Sequence, residues 1–173
     1  GLRTPEWIDY WFSHFKVNKQ NTASASAFIE KAALEIIQEK GNPMPGVQYI
    51  MDFFKELNFR IGLASSSPMH IIKMVVDKLK IGHYLSAITS AEKLPFGKPH
   101  PQVFLDCAEL LQVSPSTCIC FEDSFNGMIA AKAARMKCVI VPAPQLRHES
   151  RWDAADLKLS SLEQFTKESL DSL

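Results

Sequence analysis

The chain has no surplus of charge of either sign: nineteen Lys and Arg stand against nineteen Asp and Glu. A balanced chain gives no electrostatic reason to expect nucleic acid or an anionic membrane surface as a partner. Long apolar runs are also missing, and no stretch of the ~18 residues needed to cross a bilayer occurs. No secretory leader or lipidation motif is present either. Cysteine is scarce. The four present, Cys107, Cys118, Cys120 and Cys138, form no C-x-x-C pair and have no His at zinc-like spacing. A disulfide framework is therefore not expected; a cytoplasmic protein with free thiols packed as small apolar side chains is. There is no internal repeat and no low-complexity tract.

What is present is an ordinary globular composition, 46% hydrophobic and 22% charged over 173 residues. That length carries one substantial core with a small appended subdomain. In Thr4-Pro5-Glu6, Thr4 has the chemistry of an N-cap and Pro5 that of a first helical residue. Trp7, Ile8, Trp11, Phe12 and Phe15 then recur at helical spacing, which predicts a core-facing stripe. A polar stretch from Asn18 to Ser26 leads into a second amphipathic helix with Phe28, Ala32, Leu34, Ile36 and Ile37 as its apolar members. Asn42-Pro43-Met44-Pro45-Gly46 is the clearest punctuation in the chain and marks a subdomain boundary. Behind it, helical patterns alternate with short apolar strands around Leu63, Ala87–Thr89, Cys120 and Cys138–Val141. Strands alternating with helices imply an α/β fold with parallel pairing. The alternation is expected to close at Val141.

Three segments that follow strands carry polar groups suited to one chemistry. Ser65 and Ser66 offer hydroxyls and backbone N–H groups before a helix, an anion site. Gly97-Lys98-Pro99-His100-Pro101 offers a cation on a proline-stiffened loop; His100 is expected to cap or pack the loop. Glu122 and Asp123 end an apolar strand, where open α/β sheets place their ligands. Oxygen-only ligands suit Mg²⁺, which usually takes one or two protein carboxylates and completes its shell with water and phosphate. The competing reading of Asp123 or Ser124 is a helix N-cap. Taken together and in this order, the three segments describe magnesium-dependent phosphoryl transfer.

The segments L-A-S-S-S-P, F-G-K-P-H-P-Q-V-F and F-E-D-S-F-N-G-M-I-A-A-K-A-A-R-M resemble the second, third and fourth motifs of the haloacid dehalogenase superfamily of phosphatases. Within it the chain is similar to the β-phosphoglucomutase-like branch with a helical cap. The run S-A-E-K-L-P-F-G-K-P-H-P-Q-V-F-L-D-C-A and the later V-P-A-P are similar to bacterial sugar phosphatases acting on 2-deoxyglucose 6-phosphate and hexitol phosphates. The resemblance runs along nearly the whole chain and is weakest from Val17 to Ser26. It implies a Rossmann-like α/β core over residues 43–173 and part of an α-helical cap over residues 1–42. It further implies that Ser65 binds the transferring phosphoryl group, Ser66 assists in substrate binding and Lys98 neutralises the phosphoryl group and the nucleophile. Asp123 would ligate Mg²⁺ directly, and Glu122 directly or through water. Arg3, at the entry to the cap, is a candidate for contact with substrate hydroxyls or phosphate through its planar fork.

The family's first motif, D-x-D-x-[TV], holds an aspartate nucleophile and is absent here; the only closely spaced pair, Asp153 and Asp156, has the wrong separation. The expectation is therefore a member that, in this chain, lacks the first strand, the nucleophile and the first cap helices, and so has no aspartyl-phosphate route of its own. In the resembled fold that strand lies between the strand ending at Ser65 and the one ending at Glu122. Strands pair ~4.8 Å apart, so its absence leaves those two ~9.6 Å from each other. Their inner edges must then be satisfied by another segment or another copy, or else collapse together. The partner expected is a small-molecule sugar phosphate, with the protein a monomer or an oligomer of unknown order. The alternatives are a phosphosugar mutase, which shares every motif seen, and a non-catalytic Mg²⁺-binding module of the receiver type. A receiver's acidic pair follows its first strand rather than a late one, which counts against the module.

Overall fold

A computed structural model describes residues 2–16 and 22–173. The helical front comprises α1 (Thr4–His14) and α2 (Thr22–Lys40), which pack on each other. Arg3, not Thr4, holds the N-cap position of α1, one residue earlier than the sequence suggests, and Pro5 falls in the first turn. Residues 22–26, expected in a polar connection, are the first turns of α2; residues 17–21 of that stretch lie outside the described residues.

The aromatic stripe of α1 departs from the expectation of core. Ile8 is fully buried, but Trp7 and Phe15 are 45% and 66% exposed. Trp11 lies edge-on to Trp7 and stacks on Phe15, so the rings pack along the helix rather than into a layer beneath it. In α2 no residue is fully buried, and Phe28 and Ile36 are largely exposed.

After Gly46, whose φ of +83° suits a residue without a side chain, the chain alternates. The order is α3 (Val47–Glu56), β1 (Ile61–Ser65), α4 (Met69–Leu79), β2 (Leu85–Ser90), α5 (Gln102–Leu110), β3 (Ile119–Glu122), α6 (Phe125–Ala133), β4 (Lys137–Ile140), β5 (Leu157–Lys158) and α7 (Lys167–Asp171). β5 extends the alternation beyond Val141, where the sequence suggested it would close. At two residues it is too short to carry an apolar period.

Among the described residues all strand pairs are parallel, as alternation predicts, but they form two separate sheets, β1-β2 and β3-β4-β5. Both faces are covered, as parallel sheets require. Along β4, Cys138 and Ile140 pack with α6 and the buried Phe104 of α5. Val139 faces the other way, into a layer with Ile50 and Phe54 of α3 and Phe165. The rings of Phe53, Phe54, Phe121 and Phe165 meet there mostly edge to face.

β1 and β3 are not hydrogen-bonded to each other. Between them lies a cavity of about 390 Å³, walled by Gly62, Ala64 and Cys120 from the strands, by Phe54 and Cys107 from the helices and by Leu111 just past α5. The strand order expected from the sequence, with a gap between the strands ending at Ser65 and Glu122, is the one found, and the two half-sheets have not collapsed together.

Candidate active site

The mouth of this slot is where the polar residues meet. Lys98 lies only 5% exposed. Its Nζ donates to the Ala64 carbonyl at 3.0 Å and to Glu122 Oε1 at 2.5 Å, with the Phe104 ring 4.4 Å away. Ala64 is the penultimate residue of β1 and Glu122 the last of β3, so one ammonium bridges the C-terminal ends of both half-sheets. Those ends therefore point the same way. The Lys98 amide donates to Ser66 Oγ at 3.3 Å, bringing the buried second serine into the same group. Ser65 Oγ accepts from the Ser67 amide at 3.1 Å. Neither serine caps α4, whose N-cap position is Pro68 without a side-chain bond.

The acidic pair divides in two. Glu122 is held: Oε1 pairs with Lys98, and Oε2 accepts from Ser124 Oγ at 3.0 Å. A Cβ on Gly127 would sit 1.8 Å from Glu122 Oε2, so glycine there is what lets the carboxylate lie against the start of α6. Asp123 is exposed. The cap of α6 is Ser124, whose Oγ accepts from the Gly127 amide at 3.1 Å. Asp123 is thus released from the capping role that competed with a metal role. Among the described residues no cluster of three or more His, Cys, Asp and Glu could hold a metal. Two carboxylates with oxygen-only donors still suit Mg²⁺, which fills most of its shell from water and substrate. Asp123 has its oxygens available for direct ligation, whereas both oxygens of Glu122 are already engaged, which favours contact through water.

Arg3 sits at the edge of this group, but its guanidinium is engaged. It donates to the carbonyls of Leu94 and Pro95 and to Glu6. His100 behaves as a loop residue: Nδ1 accepts from the Gln102 amide at 3.3 Å and the ring packs on Phe96. Three contributors escaped the sequence reading: Gly127, Phe104 and Glu6. Gly127 stood inside a quoted motif. Phe104 also closes a quoted motif, F-G-K-P-H-P-Q-V-F, but Glu6 carried no local signal, because its loop partner is 91 residues away.

The thiols beside the site are unreactive in character. Burial pushes Cys120 well above its ordinary range, and it pushes Cys138 up to about 12, with the Glu122 carboxylate adding to both. Cys107, Cys118 and Cys120 line the slot.

The profile of the haloacid dehalogenase-like hydrolases matches residues 6–135. Hexitol phosphatase B of Escherichia coli K12 is 41% identical over 170 residues, covering 98% of this chain and 77% of that protein. Among solved structures, the β-phosphoglucomutase of Clostridium difficile superposes with a TM-score of 0.85 at 25% identity, covering 99% of this chain and 76% of that one. The fold likewise matches CbbY of Rhodobacter sphaeroides in complex with phosphate, with a TM-score of 0.86 at 22% identity, covering 99% of this chain and 79% of that one.

Proposed function

Because this chain belongs to the haloacid dehalogenase-like hydrolase family, we propose that it is a magnesium-dependent sugar-phosphate phosphatase acting on hexitol phosphates and 2-deoxyglucose 6-phosphate. The observation that carries the reading is Lys98: a buried cation at the C-terminal mouth of a parallel sheet, bonded to Ser66, the β1 end and Glu122, with Asp123 next in sequence. The likeness to hexitol phosphatase B along 98% of the chain supports the substrate class.

In this reading the Ser65 and Ser66 hydroxyls hold phosphoryl oxygens and Lys98 neutralises them as a point charge. Asp123 would hold magnesium directly and Glu122 through a water. Bound there, the ion supplies positive charge to the phosphoryl oxygens. Glu122 also keeps Lys98 aimed at the mouth when no substrate is present. The sequence carries no D-x-D pair, so we place the attacking aspartate on an extended segment lying in the slot. Two parallel inner edges have backbone groups to satisfy, and an extended backbone satisfies both at once. Its C-terminal end would emerge between Ser65 and Glu122.

The test is phosphate release from 2-deoxyglucose 6-phosphate and a hexitol phosphate. The 173-residue chain alone is expected to release none. With a synthetic apolar peptide ending in D-x-D, magnesium-dependent release is expected, and Asp123→Ala should abolish it without loss of fold. Turnover by the chain alone would show the nucleophile to lie elsewhere; a bound peptide without turnover would reject the phosphatase reading. A mutase is the second reading, favoured by the likeness to β-phosphoglucomutase. It predicts isomerisation of a sugar phosphate with no free phosphate released.

A further inference from the structure

We propose that Arg3 and Glu6 form a clasp between α1 and the loop at residues 94–98, and through it act as positioning residues for Lys98. Glu6 reaches across 91 positions of sequence: its Oε1 accepts from the Gly97 amide at 3.1 Å and from the Arg3 guanidinium at 2.6 Å. Glu6 Oε2 accepts from the Arg3 amide at 2.9 Å, which fixes the carboxylate at the start of α1. The guanidinium in turn donates to the Pro95 carbonyl at 3.0 Å and to that of Leu94. Two carbonyls and one amide of the loop are thus held by a single charged pair on the cap.

Gly97 records the same contact independently. A Cβ there would lie 2.7 Å from Glu6 Oε2 and 2.8 Å from Arg3 Cγ, so the clasp closes only over a residue without a side chain. The next residue is Lys98. Its amide is bound to Ser66 and its Nζ to Ala64 and Glu122. One peptide unit therefore separates the cap's grip from the buried ammonium, on a loop stiffened by Pro95, Pro99 and Pro101. A shift of α1 is passed to the cation with little slack. Arg3 consequently acts on substrate through the loop, not by reaching substrate hydroxyls with its fork.

The clasp stands on geometry alone; its catalytic consequence rests on Lys98 being the phosphate-neutralising cation. The experiment uses the whole chain with Glu6→Ala, Glu6→Gln and Gly97→Ala. Hydrogen exchange at the Gly97 amide should quicken by up to about tenfold in Glu6→Ala, the factor given by ~1.4 kcal/mol of lost local protection. Exchange in α6 should stay unchanged. Inorganic phosphate with magnesium, followed by calorimetry, should bind severalfold more weakly to Glu6→Ala and Gly97→Ala. Glu6→Gln, which keeps an acceptor for Gly97, should recover most of the affinity. Unchanged exchange at Gly97 would overturn the clasp. Faster exchange with unaltered phosphate affinity would overturn the positioning role. If the wild-type chain fails to bind phosphate, the phosphatase reading falls, and the exchange measurement still decides the clasp.

Discussion

Replacing Lys98 with Met removes a cation whose side chain is 6% exposed from a carboxylate that is 9% exposed. Glu122 then keeps only the Ser124 hydroxyl, and the Ala64 carbonyl at the end of β1 loses its donor. Breaking a buried pair by taking one partner costs ~3–5 kcal/mol, because the remaining charge stays desolvated. Against a total of ~5–15 kcal/mol for a domain, that is a large fraction. With a urea slope of ~2 kcal/mol/M, the unfolding midpoint of Lys98→Met should fall by ~2 M. The double variant Lys98→Met/Glu122→Gln carries no buried charge and should regain most of the loss, as neutral replacements of buried pairs do. A cycle of the two single variants and the double, read by circular dichroism in urea, measures the coupling. A midpoint shift below ~0.5 M in Lys98→Met would be the behaviour of an exposed pair worth ~0–1 kcal/mol. That result would refute the view that this ammonium joins the two half-sheets.

The slot and the surface each offer a further measurement. Because Cys107, Cys118 and Cys120 line the slot and burial raises all three above the ordinary thiol range, maleimide labelling near pH ~8 should be slow and led by the half-buried Cys118. A peptide occupying the slot should slow all three while leaving Cys138, which lies outside it, unchanged; equal rates with and without bound peptide would exclude occupancy of the slot. For Asp156, burial raises the carboxyl, but bonds from Lys132 and the Cys138 amide outweigh it and leave the group below its ordinary value. Its stabilisation is therefore complete above the unfolded-state value of ~3.9 and lost as pH falls through the lower folded value. Asp156→Asn should flatten the acid limb of the stability–pH curve, and an unchanged limb would reject the assignment.

The alternating half of the chain was readable because its apolar residues must satisfy two periods at once. Val139 and Ile140 face opposite layers, so the strand reads as a continuous apolar run. Glu122 and Asp123 stood out because carboxylates at the end of a buried strand are rarely there for packing, and Lys98 because it lies on a proline-rich loop between two strands. The front failed for the converse reason. Trp7, Trp11 and Phe15 have helical period, but period reports which residues share a face and not whether anything lies against that face; here the rings pack along their own helix. Glu6 was illegible because its role depends on an amide 91 residues away. β5 was illegible because two residues cannot display a period.

These contacts form one chain of force from α1 to both walls of the slot. α1 grips the loop through Arg3 and Glu6, the loop carries Lys98, and Lys98 binds the ends of β1 and β3. Without direct pairing of β1 and β3, the mouth keeps its width only through such side-chain ties and through the helices packed on either face. A segment entering the slot would add backbone pairing on both edges, fixing the same distance that Lys98 now spans. Filling the slot and ordering the phosphate site are then coupled: each narrows the positions open to Ala64 and Glu122, so either one lowers the cost of the other.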